Sequence, residues 1–125
     1  MTDRFPAEIQ SLLAPEREIE IVTAAQEGAA LHVTTIWHVV DDQGRVLIRS
    51  VRGARGRWFR EAVSNPLVVI RTGGREIPAT AVVATDEERI AAASEGYRSK
   101  YGRGTSVDAM LREDVLSTTL ELVPR

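Results

Sequence analysis

The segment RSVRGARGRWFREAVSNP, residues 49–66, holds Arg49, Arg52, Arg55, Arg57 and Arg60 within twelve residues. Guanidinium forks match the oxygens of phosphate and carboxylate bidentately. Gly53 and Gly56 let backbone approach a ligand closely, and Ser50 can donate a hydroxyl. The apolar positions Trp58, Phe59, Ala62 and Val63 predict a helix that begins near Arg57 and stops at Asn65-Pro66. Helix starts expose unpaired N–H groups and the positive end of the dipole. Ser, Thr, Asp or Asn usually covers that end. Here Gly56 stands at the cap position with arginines on both sides, an arrangement unfavourable by about 0.3–1 kcal/mol per charge. An anion reverses the sign of each term, so the segment reads as a phosphate or carboxylate site. Solvated arginines, or arginines paired across a dimer, account for the same cluster, and nucleic acid is the third reading. The third conflicts with the acidic net charge of −2 and with Trp58 and Phe59 on an apolar helix face.

The remaining chemistry-bearing residues give weaker signals. His32 and His38 fall on one face of what reads as a single strand, about 20 Å apart at roughly 3.3 Å per residue, so no metal is shared between them. His38, and Tyr97 with Tyr101 at i, i+4, could line a substrate pocket, although a packed or exposed histidine and core or interface tyrosines are the commoner reading. Thr34 and Thr35 offer hydroxyls. The chain has no cysteine, which removes disulfides, thiol catalysis and thiolate metal sites. It has no HExxH, GxGxxG or GxxxxGK[ST] pattern. A reaction here would have to be carried by a cofactor.

These residues must be positioned by a single domain, because 125 residues bury one core and not two. No apolar run approaches a membrane span and the N-terminus has no secretory pattern, so the expected location is cytoplasmic. A helix is predicted over 6–13, introduced by Thr2 or Asp3. EIEIVT alternates as a strand, ALHVTTIWHVV reads as one long strand, and DDQG turns it into RVLIRSV. LVVIRT and REIPATAVVA flank Gly73-Gly74 as a hairpin, with Pro78 marking an edge or bulge. Thr85 and Glu88 form a capping box for the helix ending at Gly102. SVDAMLRED is a short helix, and VLSTTLELV a last strand with Leu116, Thr118, Leu120 and Leu122 on one face. Hairpins without βαβ alternation indicate a mainly β, α+β architecture: a small antiparallel barrel flanked by helices over residues 1–125.

TTIWHVVDDQGRVLIRSVRGARGRWFREAVSNP, the Gly-Gly hairpin, and YRSKYG…TTLELVPR together resemble a bacterial domain of unknown function (DUF2255-like). That family is similar to the FMN-binding split barrels, which include pyridoxamine-phosphate-oxidase-like (PNPOx-like) proteins and deazaflavin-dependent nitroreductases. Ser50, Gly53, Trp58-Phe59 and Asn65-Pro66 match the nitroreductase-like order, while Glu61 stands where asparagine is common. The resemblance implies a split-barrel homodimer with FMN or a deazaflavin near the subunit interface. The cofactor would be held by Arg49, Ser50, Arg52, Gly53, Arg55, Arg57 and Trp58, with Thr34, Thr35 and Ile36 approaching its ring, for oxidoreductase chemistry. A non-catalytic barrel binding a phosphorylated small molecule or a tetrapyrrole, and a dimeric module without cofactor, are the alternatives.

Overall fold

The structure is a computed structural model that describes residues 4–125; Thr2 and Asp3, the expected lead-in of the first helix, lie outside that range. Helix α1 (Ala7–Leu13) precedes strands β1 (Ile19–Thr23), β2 (His32–Ile36), β3 (Val39–Val40) and β4 (Val46–Ile48). A 3-10 turn (Gly53–Arg55) leads into α2 (Arg57–Ser64), followed by β5 (Leu67–Thr72) and β6 (Arg75–Val83). Helices α3 (Glu87–Tyr101), α4 (Thr105–Met110) and α5 (Glu113–Leu116) then precede β7 (Leu120–Pro124). Every strand pairing is antiparallel, and the sheet runs β2-β1-β5-β6-β7-β4-β3.

Period-2 alternation places the two cores. Along β4, Val46 and Ile48 join a cluster with Leu13, Ile21, Trp58 and Ala62, beneath α1 and α2. Leu47 points the other way and packs with Val39, Ala93, Tyr97 and Met110, beneath α3 and α4. Each fully buried aliphatic side chain of this kind contributes about 1.5–3 kcal/mol. Gly96 sets the approach of α3 to the sheet: a β-carbon there would lie 2.0 Å from Val39 Cγ1. The hairpin between β5 and β6 turns on Gly73 and Gly74, with φ of 55° and 76°, as a two-residue turn requires.

Several sequence expectations are corrected. ALHVTTIWHVV is two strands, β2 and β3, at opposite edges of the sheet, so His32 and His38 share no strand face. The break falls at Trp37-His38 because side chains take the backbone groups there. The His38 N–H donates to Tyr101 Oη at 3.2 Å, and Lys100 Nζ donates to His38 O at 3.0 Å. The last strand starts at Leu120 and not at Val115. Thr118 and Thr119 hydroxyls donate back to Val115 O and Leu116 O, at 2.6 and 2.7 Å, and close a helical turn instead. The cap of α3 is Asp86, which accepts from Arg89 N–H, and not Thr85. Glu88 is drawn away to pair with Arg45 at 2.8 Å. Pro78 lies in β6, an interior strand, but β7 pairs β6 only from Ala79 onward, so the missing N–H costs no bond on that side.

Candidate functional site

A cavity of about 860 Å³ opens where the end of β2, the loop after β4, the start of α2 and helix α4 converge. The first wall is Thr34, Thr35, Ile36 and Trp37. The second comprises Arg49, Ser50, Val51 and Arg52, continued by Gly56, Arg57 and Trp58. Thr105, Ser106, Ala109 and Met110 of α4 close the third side. Both tryptophans of the chain therefore face one cavity. Its wall contains three arginines and, among the described residues, no carboxylate.

Arg49 follows Leu47 on the α3 side of β4, and alternation carries it inward. It is 2% exposed. Nε donates to Thr119 Oγ1 (2.9 Å), Nη1 to Ser94 Oγ and Met110 O (both 3.0 Å), and Nη2 to Ile90 O (2.9 Å). Four of its five N–H groups are thus held by neutral oxygens, and its hydrogen bonds include no carboxylate. Burial pushes its pKa below the ordinary value, with only the Tyr97 ring, 5.8 Å from the guanidinium carbon, adding a favourable face. Arg52 and Arg57 behave differently: both are exposed, and neither forms an ion pair among the described residues.

The loop between them is fixed by backbone geometry. Ser50 N–H donates to Thr118 Oγ1 at 3.0 Å, and Ser50 Oγ–H donates to Gly53 O at 2.8 Å. Gly53 has φ +68°, the left-handed conformation that side chains rarely adopt. Helix α2 starts with no side-chain cap bond and no acid in its first turn.

The cavity therefore brings together Thr34, Thr35, Ile36, Arg49, Ser50, Arg52, Arg57 and Trp58. Gly53 and Arg55 lie outside its wall: Gly53 is buried in the turn, and Arg55 points to solvent. His38, Tyr97 and Tyr101 do not line it either. They belong to the packing under α3, where Tyr97 is fully buried and Tyr101 stacks on Trp37 at 4.0 Å between ring centroids.

One cluster beside the cavity was not expected. Thr23 Oγ1–H donates to Glu61 Oε1 at 2.8 Å, and His32 Nδ1–H donates to Glu61 Oε2 at 2.8 Å. Burial pushes the Glu61 carboxyl up, but the hydrogen bonds from Thr23 and His32, followed by the charges of His32 and Arg57, hold it below its ordinary range. The signal was the β1–β2 register, which sets Thr23 opposite His32 and which hydrophobic patterning does not fix. Trp37 and the α4 residues were also missed, since only the fold brings residues 105–110 to the end of β2. Among the described residues no group of three or more His, Asp or Glu is placed to hold a metal, and no helix is long and apolar enough to cross a membrane.

Comparison with solved structures defines the class. HutZ, a heme storage protein from Vibrio cholerae, is 14% identical, with 98% of this chain and 91% of that one aligned at TM-score 0.69. An F420-H2 dependent reductase (FDR-A) is 17% identical over 86% of this chain and 94% of its own, at TM-score 0.64. A Listeria innocua protein provisionally assigned as a pyridoxamine 5'-phosphate oxidase is 18% identical over 94% and 91%, at TM-score 0.66. The curled, seven-stranded antiparallel half-barrel with flanking helices is thus a PNPOx-like split barrel. Over residues 9–122 the chain matches the family described as uncharacterized protein conserved in bacteria (DUF2255), and it belongs to that family. No curated protein matches it in sequence.

Proposed function

We propose that this split barrel binds a phosphorylated flavin-type cofactor, FMN or a deazaflavin, in the 860 Å³ cavity and acts as an oxidoreductase. The observation that carries the reading is the cavity's charge: three arginines and, among the described residues, no carboxylate, in a chain of net charge −2. A volume within the roughly 300–1,000 Å³ range of small-molecule sites is consistent with it. The donor set fits a phosphate. Among the described residues Arg52 and Arg57 have no ion-pair partner, the start of α2 has no side-chain cap, and Arg49 supplies fixed positive charge behind them. A flat ring would lie toward Trp37 and Thr34–Ile36. Hydride chemistry would belong to that ring, with the protein supplying binding, orientation and electrostatics.

The same reading includes a homodimer. Strand β2 is an edge of the sheet, with Leu31 at 70% and Val33 at 42% exposure beside the cavity residues Thr34 and Thr35. A second copy would cover that edge.

The test is titration of the purified chain with FMN, a deazaflavin and hemin, read by quenching of Trp37 and Trp58 emission. Micromolar binding of FMN or the deazaflavin, weakened about tenfold or more by Arg52→Ala with Arg57→Ala, is expected, since a charged hydrogen bond contributes about 1.5–3 kcal/mol. Binding of hemin alone, indifferent to those arginines, would replace flavin chemistry with tetrapyrrole carriage. Light scattering of the eluted protein reads the dimer.

A further inference from the structure

A carboxylate stands one helical turn behind the wall of the arginine cavity. Glu61 follows Arg57 at i+4 on α2, which sets their Cβ atoms about 5–6 Å apart, and Arg57 lines the cavity. Left uncompensated, the Glu61 charge would repel an anion at the start of α2 and compete for Arg57. Its oxygens have two side-chain donors among the described residues. Thr23 Oγ1–H donates to Oε1 at 2.8 Å, and His32 Nδ1–H donates to Oε2 at 2.8 Å. Thr23 is a neutral donor, so of these two only His32 can cancel the negative charge, and only while it carries a second proton.

His32 is placed to take up that proton. Its side chain is 35% exposed, against 10% for Glu61, and Nε2 has no hydrogen-bond partner among the described residues. The bond from Nδ1–H to Glu61 leaves Nε2 as the atom that titrates. The groups around the ring are few. Glu61 and, beyond it, Arg57 come from α2, and Thr23 comes from the register position opposite on β1. Glu27, in the loop joining β1 to β2, forms no ion pair with His32 among the described residues. His32 also precedes Thr34 by two residues on one face of β2, about 6–7 Å along the strand from that cavity residue.

We propose that His32 sets the anion affinity of the arginine cavity, by carrying a proton that is bound together with the anion. The imidazolium offsets Glu61 and leaves the charge of Arg52 and Arg57 to the ligand. The neutral ring leaves the Glu61 carboxylate uncompensated beside Arg57. Linkage makes the effect reciprocal: an anion in the cavity draws a proton onto His32, and raising the pH weakens the anion's hold. The ligand class favoured is a dianion of the phosphate-monoester kind, on which each neighbouring charge acts twice over. The inference rests on the anion-site reading above and adds a titrating partner to it.

The experiment titrates the intact chain with sulfate at constant ionic strength, from about pH 5.5 to about pH 8. Sulfate stays a dianion throughout, so any pH dependence belongs to the protein. Binding is followed by the NMR signals of the Gly56 and Arg57 amides and of the histidine rings. The other histidine, His38, is buried and held down at about 4, outside that window. Sulfate affinity is expected to fall about fivefold across the range, as one partly screened charge predicts. Saturating sulfate should move the His32 titration to higher pH. Glu61→Gln should bind as tightly at the upper pH as at the lower, whereas His32→Gln should bind weakly at both. Simple loss of structure would shift both variants in the same direction. A wild-type affinity that is flat with pH, yet weakened by Arg52→Ala with Arg57→Ala, overturns the role of His32 and leaves the anion site standing. Sulfate binding that ignores both arginines, or its absence at every pH, overturns the anion site and this inference with it.

Discussion

Ser50 Oγ occupies the space that a side chain on Gly56 would need: a β-carbon built there lies 2.6 Å from that oxygen. Gly56 has φ −62° and ψ 135°, which any residue adopts, so glycine is required by the close approach and not by the backbone angle. The missing helix cap follows from this contact, since the usual capping residues carry the β-carbon that Ser50 excludes.

Gly56→Ala should therefore destabilise the protein by about 1–3 kcal/mol, the range for overpacking a tight site. Displacement of Ser50 Oγ would also release its bond to Gly53 O and loosen the loop that presents Arg52 and Arg57. Adding Ser50→Gly should recover part of the loss. Urea denaturation of the four members of the cycle checks this, and strict additivity would show that the two positions do not interact.

Arg49→Lys should behave as a severe substitution. Lysine's point charge cannot reach Thr119, Ser94, Met110 and Ile90 together, as the guanidinium does. A loss of about 2–4 kcal/mol is expected, because buried acceptors are left unpaired. Arg52→Lys, on an exposed residue, should change stability by less than about 0.5 kcal/mol while still weakening phosphate binding. Thermal melts with and without inorganic phosphate separate the two effects.

The contrast between these arginines marks how far the sequence could be read. Clustering and the uncapped helix start were visible, because both are local. What each arginine does was not. Arg45 is spent on Asp41 and Glu88, Arg49 on interior carbonyls and hydroxyls, and Arg55 on solvent; among the described residues, Arg52 and Arg57 are the arginines that line the cavity without an ion-pair or hydrogen-bond partner. Those fates depend on which face of β4 turns toward α3 and where α4 lands. The Gly73-Gly74 hairpin and α2 were legible for the same local reason. The division of ALHVTTIWHVV was not, because Tyr101 and Lys100, some sixty residues later, interrupt it.

Acid should unfold the protein in two stages. Burial first, then Lys100, outweigh the bond to Leu13 and hold His38 down at about 4 from the ordinary 6.5. Between those values the unfolded chain takes up a proton that the folded one refuses, so stability falls as pH falls, by roughly 3 kcal/mol in all at 1.36 kcal/mol per unit. Glu61 acts lower. Its depressed carboxyl stabilises the fold above the ordinary carboxylate value, and that contribution disappears as pH drops through the folded value. Stability measured from pH 7 to 3 should show the upper stage lost in His38→Gln and the lower one reduced in Glu61→Gln. An unchanged upper stage in His38→Gln would show that His38 titrates normally.

Gly96→Ala should be more damaging than Gly56→Ala. The intruding β-carbon meets Val39 Cγ1 at 2.0 Å, and the obstacle is a branched side chain held on a strand. Relief requires α3 to move away from β3, which opens the packing of Val39, Ala93 and Tyr97. A destabilisation of about 3 kcal/mol, the upper end of overpacking, is expected. Val39→Ala alone should cost about 1–2 kcal/mol for its lost methyl groups. Placed together they should cost less than Gly96→Ala alone, since the smaller strand residue leaves room for the new one. Urea denaturation of the four members of this cycle checks it, and strictly additive losses would show that the two side chains do not meet.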